Sequence, residues 1–283
     1  MTMSVQDYLR AYDDQLRTEA ETAGAERVER LGPLWLATFG GSQGFVSYRE
    51  LAGADAPTLA GWVDEVVERF AADPAVEQVE WKTRGHDVAP GLHEALVAHG
   101  FEPQEPESVM VGEAALLDVA VPLPASVSLR RIRSAADVQA MAAMQDAAFG
   151  NRVSGGMSDA LLGRLAEDDG LELWVAEADG AMVGAGRLEP VAGSDFAGVW
   201  GGAVLPQWRG RGIYRALTAV RARAALASGK TLIHSDSTPM SRPILERSGL
   251  VAVSTTTPYE WHRRAPGEAA DAAEPAGPPT QDG

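Results

Sequence analysis

The sequence predicts a mixed α/β fold, an α+β mixed sheet flanked by helices and assembled from two related halves. Three observations carry that prediction. Apolar runs of strand length alternate with helical patterns along the chain, and residues 79–111 and 231–261 repeat one order of elements. At 200–226 a strand, a glycine-rich turn and a long amphipathic helix follow one another without a gap.

In the first half, LWLATF and GFVSYREL read as a hairpin and 58–70 as a helix. VPLPAS at 121–126 has two prolines and no periodicity and reads as a linker. Beyond it, SLRRIR at 128–133 is a strand, and Ser134 caps a helix with Asp137 three residues on. That helix directs Val138, Met141, Ala142 and Met144 to a core, and Ser158 caps a second helix reaching Leu165. LELWVAEA and AMVGAGRLEP flank Asp179-Gly180, the residue pair of a tight hairpin turn. A strand over 196–205, a helix over Ile213–Ala227 and the strand TLIHSDS come next. The short helix SRPILERSG ends at Gly249, where a left-handed residue closes the last turn. VAVSTTT and YEWHRR are two strands that close the sheet.

The repeat is visible as strand, polar loop with proline, short helix, then glycine plus an apolar residue, with Gly100-Phe101 matching Gly249-Leu250. The first half reads as a shortened copy of the second. The expected organisation is a copy over 1–120, a linker over 121–127, a second copy over 128–264 and a Pro/Gly/Ala-rich acidic tail, predicted disordered, over 265–283.

Composition narrows the function. The chain has 283 residues, no Cys and a net charge of −16. Without Cys there is no disulfide framework, thiolate zinc site or Cys nucleophile, and no metal is expected. The acidity argues against a nucleic-acid partner. It is also uneven. Residues 1–128 carry 8 basic and 22 acidic side chains, and residues 129–264 carry 16 and 14, so the second half is the part that would not repel a polyanion. No apolar run is long enough to cross a membrane, and the acidic N-terminus does not resemble a secretory signal, so a cytoplasmic location is expected.

The chemistry sits in WGGAVLPQWRGRGIYRALTAVRARAAL, 200–226. The strand ends at Leu205-Pro206, Arg209-Gly210-Arg211-Gly212 turns the chain, and the helix begins at once. Glycines let N–H groups converge, and the unpaired first-turn N–H groups and positive helix end favour an anion. This is a diphosphate cradle. It lacks the Gly-Lys-Ser/Thr ending of a nucleotide P-loop and the G-x-G-x-x-G spacing of a dinucleotide fold.

The run V-x-P-x-W-R-G-R-G-I closely resembles the acyl-CoA loop of the GNAT (Gcn5-related N-acetyltransferase) family, with Arg209, Gly212 and Tyr214 at the motif's three defined positions. The resemblance covers about 128–263 and implies a tandem GNAT acyl-CoA N-acyltransferase fold with an eroded first copy. It further implies acetyl-CoA as acyl donor. The pantetheine arm would lie along Ala203, Val204 and Leu205, and the diphosphate on Arg209, Gly210, Arg211, Gly212, Ile213 and Tyr214. Tyr214 departs from the family's small residue there, and the cradle survives if its side chain points away. No such loop stands in the first copy, so one CoA site is expected.

The resemblance implies direct attack of an amine on the thioester, with a base for the amine and an acid for the leaving thiolate. The family's usual strand Glu is missing from 196–205, and Leu245 stands where a Tyr is common. The remaining candidates are His234 and Asp236, which alternate on one strand and share a face, and Tyr259, which could reach the thiol or simply fill a core edge. His86 and Asp87 hold the matching loop of the first copy. The expected function is acetyl transfer to a primary amine of a small molecule. The alternative is an acyl-CoA-binding sensor or scaffold that has lost its chemistry.

Overall fold

Both halves build one kind of unit, and the two units share a twelve-stranded sheet. The computed structural model describes residues 3–150 and 156–263, so the tail predicted over 265–283 lies outside the described residues.

The first half opens with helix α1 (Val5–Gln15), started by a capping box between Ser4 and Asp7. Strands β1 (Arg27–Leu31), β2 (Leu34–Phe39) and β3 (Gln43–Ser47) form an antiparallel meander. Helix α2 (Ala56–Ala72) crosses over to β4 (Gln78–Arg84), which is parallel to β3. Helix α3 (Leu92–Ala98), the two-residue β5 (Glu102–Pro103), β6 (Glu107–Glu113) and the short α4 (Ala114–Leu117) complete it. Sequence patterning missed β1. That strand is an exposed edge with charges on both faces, and it carries no alternation to read.

The second half follows the predicted order. It runs β7 (Val127–Ile132), α5 (Ala135–Phe149), α6 (Gly156–Glu167), β8 (Glu172–Ala178), β9 (Ala181–Pro190) and β10 (Phe196–Val204). Helix α7 (Ile213–Ala227), β11 (Leu232–Ser237), α8 (Arg242–Arg247) and β12 (Val251–His262) close it. Ser134 accepts from Asp137 N as predicted, and the four core residues named for α5 are buried. Asp179 and Gly180 both take positive φ, 52° and 80°, the turn that matches strand twist. Ser158 does not stand at the N-cap position, because α6 already starts at Gly156 and Ser158 lies buried in its first turn. The two predicted closing strands are one. Pro258 does not break β12, since its backbone side faces the two-residue β5, where its carbonyl accepts from Gln104 N and a missing donor costs little.

The sheet order is β1-β2-β3-β4-β12-β6-β11-β10-β9-β8-β7. The last strand of each half therefore belongs to the other half's sheet. β12 pairs with β4 over Thr256–Arg84 to His262–Gln78, and β6 pairs with β11 over Leu232–Glu113 to Ser237–Ser108. The two exchanged strands pair with each other in the middle. The linker divides the halves in sequence, while the sheet continues across them. Among the described residues no helix is long and apolar enough to cross a membrane, and no group of three His, Asp or Glu side chains could hold a metal.

Candidate active site

β10 and β11 are parallel neighbours for only three residue pairs, Phe196–Leu232, Ala197–Ile233 and Gly198–His234. Beyond Gly198 they separate, although β10 continues to Val204 and β11 to Ser237. A cleft of about 960 Å³ opens there, bounded by Trp200, Gly202, Ala203, Tyr214, Asp236 and Met240. The freed edge of β10 offers backbone donors and acceptors to whatever lies in the gap.

A bulge sharpens that edge. The β9–β10 register shifts between Trp200 and Ala203. Gly201 takes φ +58°, and a Cβ there would lie 2.8 Å from Gln145 Nε2. Two side chains pin the bulge, as Gln145 Nε2 donates to Gly201 O at 2.6 Å and Arg221 donates to Trp200 O and Arg187 O. Arg221 is fully buried with carbonyls and a Thr hydroxyl as acceptors, and burial lowers its pKa to about 10.

The glycine-rich turn closes one end of the cleft. Gly210 and Gly212 take φ +75° and +81°, conformations that cost an L-residue about 1–2 kcal/mol. Gly212 is the N-cap of α7 and supplies no side-chain cap. Among the described residues the N–H groups of 213–215 find no backbone acceptor. An anion is the partner such an end lacks. Helix α2, in the corresponding place of the first half, has its N-terminus already filled, because Asp55 Oδ1 accepts from Thr58 N at 3.0 Å.

The predicted cofactor residues divide in two. Ala203, Val204, Arg209, Gly210, Gly212, Ile213 and Tyr214 all line the cleft. Leu205 donates its N–H to Val183 O instead, and Arg211 is exposed with its guanidinium 4.7 Å from the Trp208 ring centroid. Arg209 is a clamp, since its guanidinium donates to Val204 O and Ala148 O at 3.1 Å each, tying β10 to the end of α5. Two cations of the wall, Arg215 and Arg247, have no hydrogen bond or ion pair among the described residues, and the sequence did not single them out. Tyr214 turns away from the cradle. Its ring lies over Gly202, where a Cβ would come within 2.8 Å, and its hydroxyl is in reach of Ser241. Burial raises its pKa.

The predicted catalytic residues are brought together less well. His234 and Asp236 do share a face, as their spacing predicted, and Asp236 lines the cleft. Asp236 Oδ2 lies 2.7 Å from Lys82 Nζ of β4. Burial works to raise the Asp236 carboxyl, but Lys82 and Arg84 outweigh it and hold it below the usual carboxylate range. A carboxylate so held is a poor base. His234 stacks edge-on against Trp200 at 5.1 Å and Phe196 at 5.8 Å, and burial pushes its pKa down to about 4. Tyr259 is not in the site. The exchange of β12 carries it into the core of the first half, where it is buried and its hydroxyl meets His93 Nδ1 of α3 at 2.9 Å. His86 and Asp87 hold α1 to this junction through Arg17 and Ser254. A carboxylate of the cleft also went unread in the sequence. Glu107, the first residue of β6, enters the wall from the first half.

Residues 138–242 match the family model described as the acetyltransferase (GNAT) family. No curated protein matches the chain. Among solved structures, a GCN5-related N-acetyltransferase from Kribbella flavida is similar at 18% identity and a TM-score of 0.63, covering 92% of this chain and 96% of that one. A tandem GNAT protein from the clavulanic acid biosynthesis pathway is similar at 14% identity and a TM-score of 0.57, covering 93% and 97%. A GCN5-related N-acetyltransferase from Sphaerobacter thermophilus covers 81% and 76% at 16% identity and a TM-score of 0.57. At these identities the structural likeness establishes the fold.

Proposed function

We propose that this chain, whose residues 138–242 match the GNAT acetyltransferase family model and whose fold is shared with a tandem GNAT protein, moves an acetyl group from acetyl-CoA to a primary amine of a small molecule by direct attack. The observation that carries the reading is the splay of β10 from β11, which opens the cleft directly onto the uncapped N-terminus of α7. The first-turn N–H groups, with Arg215 and Arg247, suit a diphosphate. The bulged edge of β10 suits the amide groups of a pantetheine arm as an added strand would. Acetyl-CoA brings an activated thioester, and the residues of this chain hold it in place. Trp200, Phe149 and Met240 give the rest of the cleft apolar walls fit for a small organic acceptor.

The reading includes a single CoA site, because Asp55 already occupies the corresponding helix end of the first half with a negative charge. Calorimetric titration with acetyl-CoA tests this, and one site per chain is the expected result. Two sites would overturn the account of the first half, and none would overturn the site. A second reading, an acyl-CoA-binding sensor, draws on the ties that hold Asp236 and on the removal of Tyr259 to the first half's core. Formation of an acetylated amine by the purified protein excludes it.

A further inference from the structure

The cleft wall contains two carboxylates, and only one of them is already spoken for. Asp236 is tied to Lys82 at 2.7 Å. Glu107 makes no hydrogen bond or ion pair among the described residues, is half-buried, and faces the cleft. Its position follows from the strand exchange. β6 runs antiparallel to β11 with Ser108 opposite Ser237, so Glu107 stands one residue further out, beside the carboxyl end of β11 where the splay is open. On its other side it is opposite Thr256 of β12. The second half's own strand before the loop, 196–204, has no carboxylate.

We propose that Glu107, delivered by the first half through its exchanged strand, is the residue that receives the acceptor's ammonium and removes its proton. This rests on the acetyl-transfer reading above. Glu107 Oε accepts a proton from R–NH₃⁺ and becomes the neutral acid. The freed nitrogen lone pair forms the C–N bond at the thioester carbonyl, the C–S bond breaks, and the thiolate leaves with the sulfur electrons. The second proton on nitrogen neutralises the thiolate, and Glu107 returns its proton to solvent, so one H⁺ is released per amide formed. The surroundings suit that role. Burial, then the neighbouring Asp236 charge, raise the Glu107 carboxyl above the ordinary carboxylate range, toward that of a useful base. The charged groups that face it are Asp236 from β11 and Lys82 and Glu80 from β4, an arrangement with more negative than positive charge that draws a cation. Arg242 of α8, on the far side of β6, is held by Glu246 and Ser108. The first copy is thus more than an eroded duplicate, since without β6 the cleft has no free carboxylate.

The test compares wild type, Glu107→Gln and Glu107→Asp for acetyl-CoA affinity by calorimetry and for acetylation of phenethylamine, putrescine, lysine and glucosamine. Acetyl-CoA affinity should stay within about twofold in both variants. Glu107→Gln should lower kcat/KM for the best amine by about 10²–10⁴-fold at pH 7. It should recover activity as pH rises toward the amine's own pKa, where free amine no longer needs a base. Glu107→Asp should retain part of the rate. Full kcat/KM in Glu107→Gln overturns the assignment and leaves the acetyl-transfer reading standing. Loss of acetyl-CoA binding together with activity also overturns it, because Glu107 would then be holding the fold. A wild type that binds acetyl-CoA and acetylates none of the four amines overturns both.

Discussion

The junction of the two halves can be tested through one buried ion pair. Lys82 of β4 and Asp236 of β11 come from different halves, lie 2.7 Å apart and are 19% and 8% exposed. Lys82→Met keeps the length of the stem and removes the charge. It leaves the Asp236 carboxylate buried, with Oδ1 already lacking a partner and Arg84 as the remaining nearby cation. Breaking such a pair from one side costs about 3–5 kcal/mol. At about 2–4 °C per kcal/mol for a chain of this size, Tm should fall by about 6–20 °C at pH 7. The pH dependence has a definite sign. In the wild type the folded pKa of Asp236 lies below its unfolded value, so its contribution is fully present above the unfolded pKa and is lost as pH falls through the folded one. In Lys82→Met burial dominates, and the folded pKa rises above the unfolded value. The variant's deficit should therefore be largest near pH 8 and shrink as pH falls toward 5. Denaturant unfolding of both proteins across that range measures it, and adding Asp236→Leu to Lys82→Met should restore most of the loss. A deficit under about 1 kcal/mol, or one independent of pH, would refute the view that this pair is buried and joined across the halves.

Other outcomes follow from the cradle and the misplaced tyrosine. Gly212→Ala should lower both stability and acetyl-CoA affinity, because φ +81° costs about 1–2 kcal/mol and the new Cβ would meet Pro122 O at 3.2 Å; Gly212→Asp should bind more weakly still, since its carboxylate would stand at the anion site. Calorimetry should show Arg215→Ala and Arg247→Ala each weakening acetyl-CoA by about five- to tenfold with a reduced salt dependence. Arg209→Ala should instead show mainly in Tm, as it removes the donor that bridges Val204 O and Ala148 O. Tyr259→Phe should leave acetyl transfer unchanged and cost about 1 kcal/mol of stability, the value of its bond to His93.

Local pattern made much of this molecule legible. The Asp179-Gly180 hairpin, the Ser134 cap, the limits of α7 and the repeated ends Gly100-Phe101 and Gly249-Leu250 all depend on neighbours a few residues away, and a sequence displays such neighbours directly. In both repeated ends the apolar residue donates back to the helix, Phe101 N to Leu96 O and Leu250 N to Leu245 O. The site was legible only where chemistry and chain are contiguous, as in the turn at 209–214. Arg209 shows the limit even there. A charge can be read from sequence, but whether it faces solvent, a ligand or two carbonyls depends on where α5 ends.

Which strand pairs with which is a different kind of fact. β6 and β12 are apolar enough to sit anywhere in a sheet interior, and no turn between them and their partners fixes the choice. Their exchange decides the fate of three titratable residues. It removes Tyr259 to the core of the first half, brings Lys82 within a hydrogen bond of Asp236, and sets Glu107 at the open end of the splay. A reading that treats the halves as separate loses a candidate acid, finds one of its two candidate bases already paired, and has no reason to look at a glutamate beyond the linker. The same exchange makes the first half hard to discard. Loss of β6 would unpair one side of β11, the strand that forms a wall of the cleft, so the second half depends on the first for an edge of its sheet.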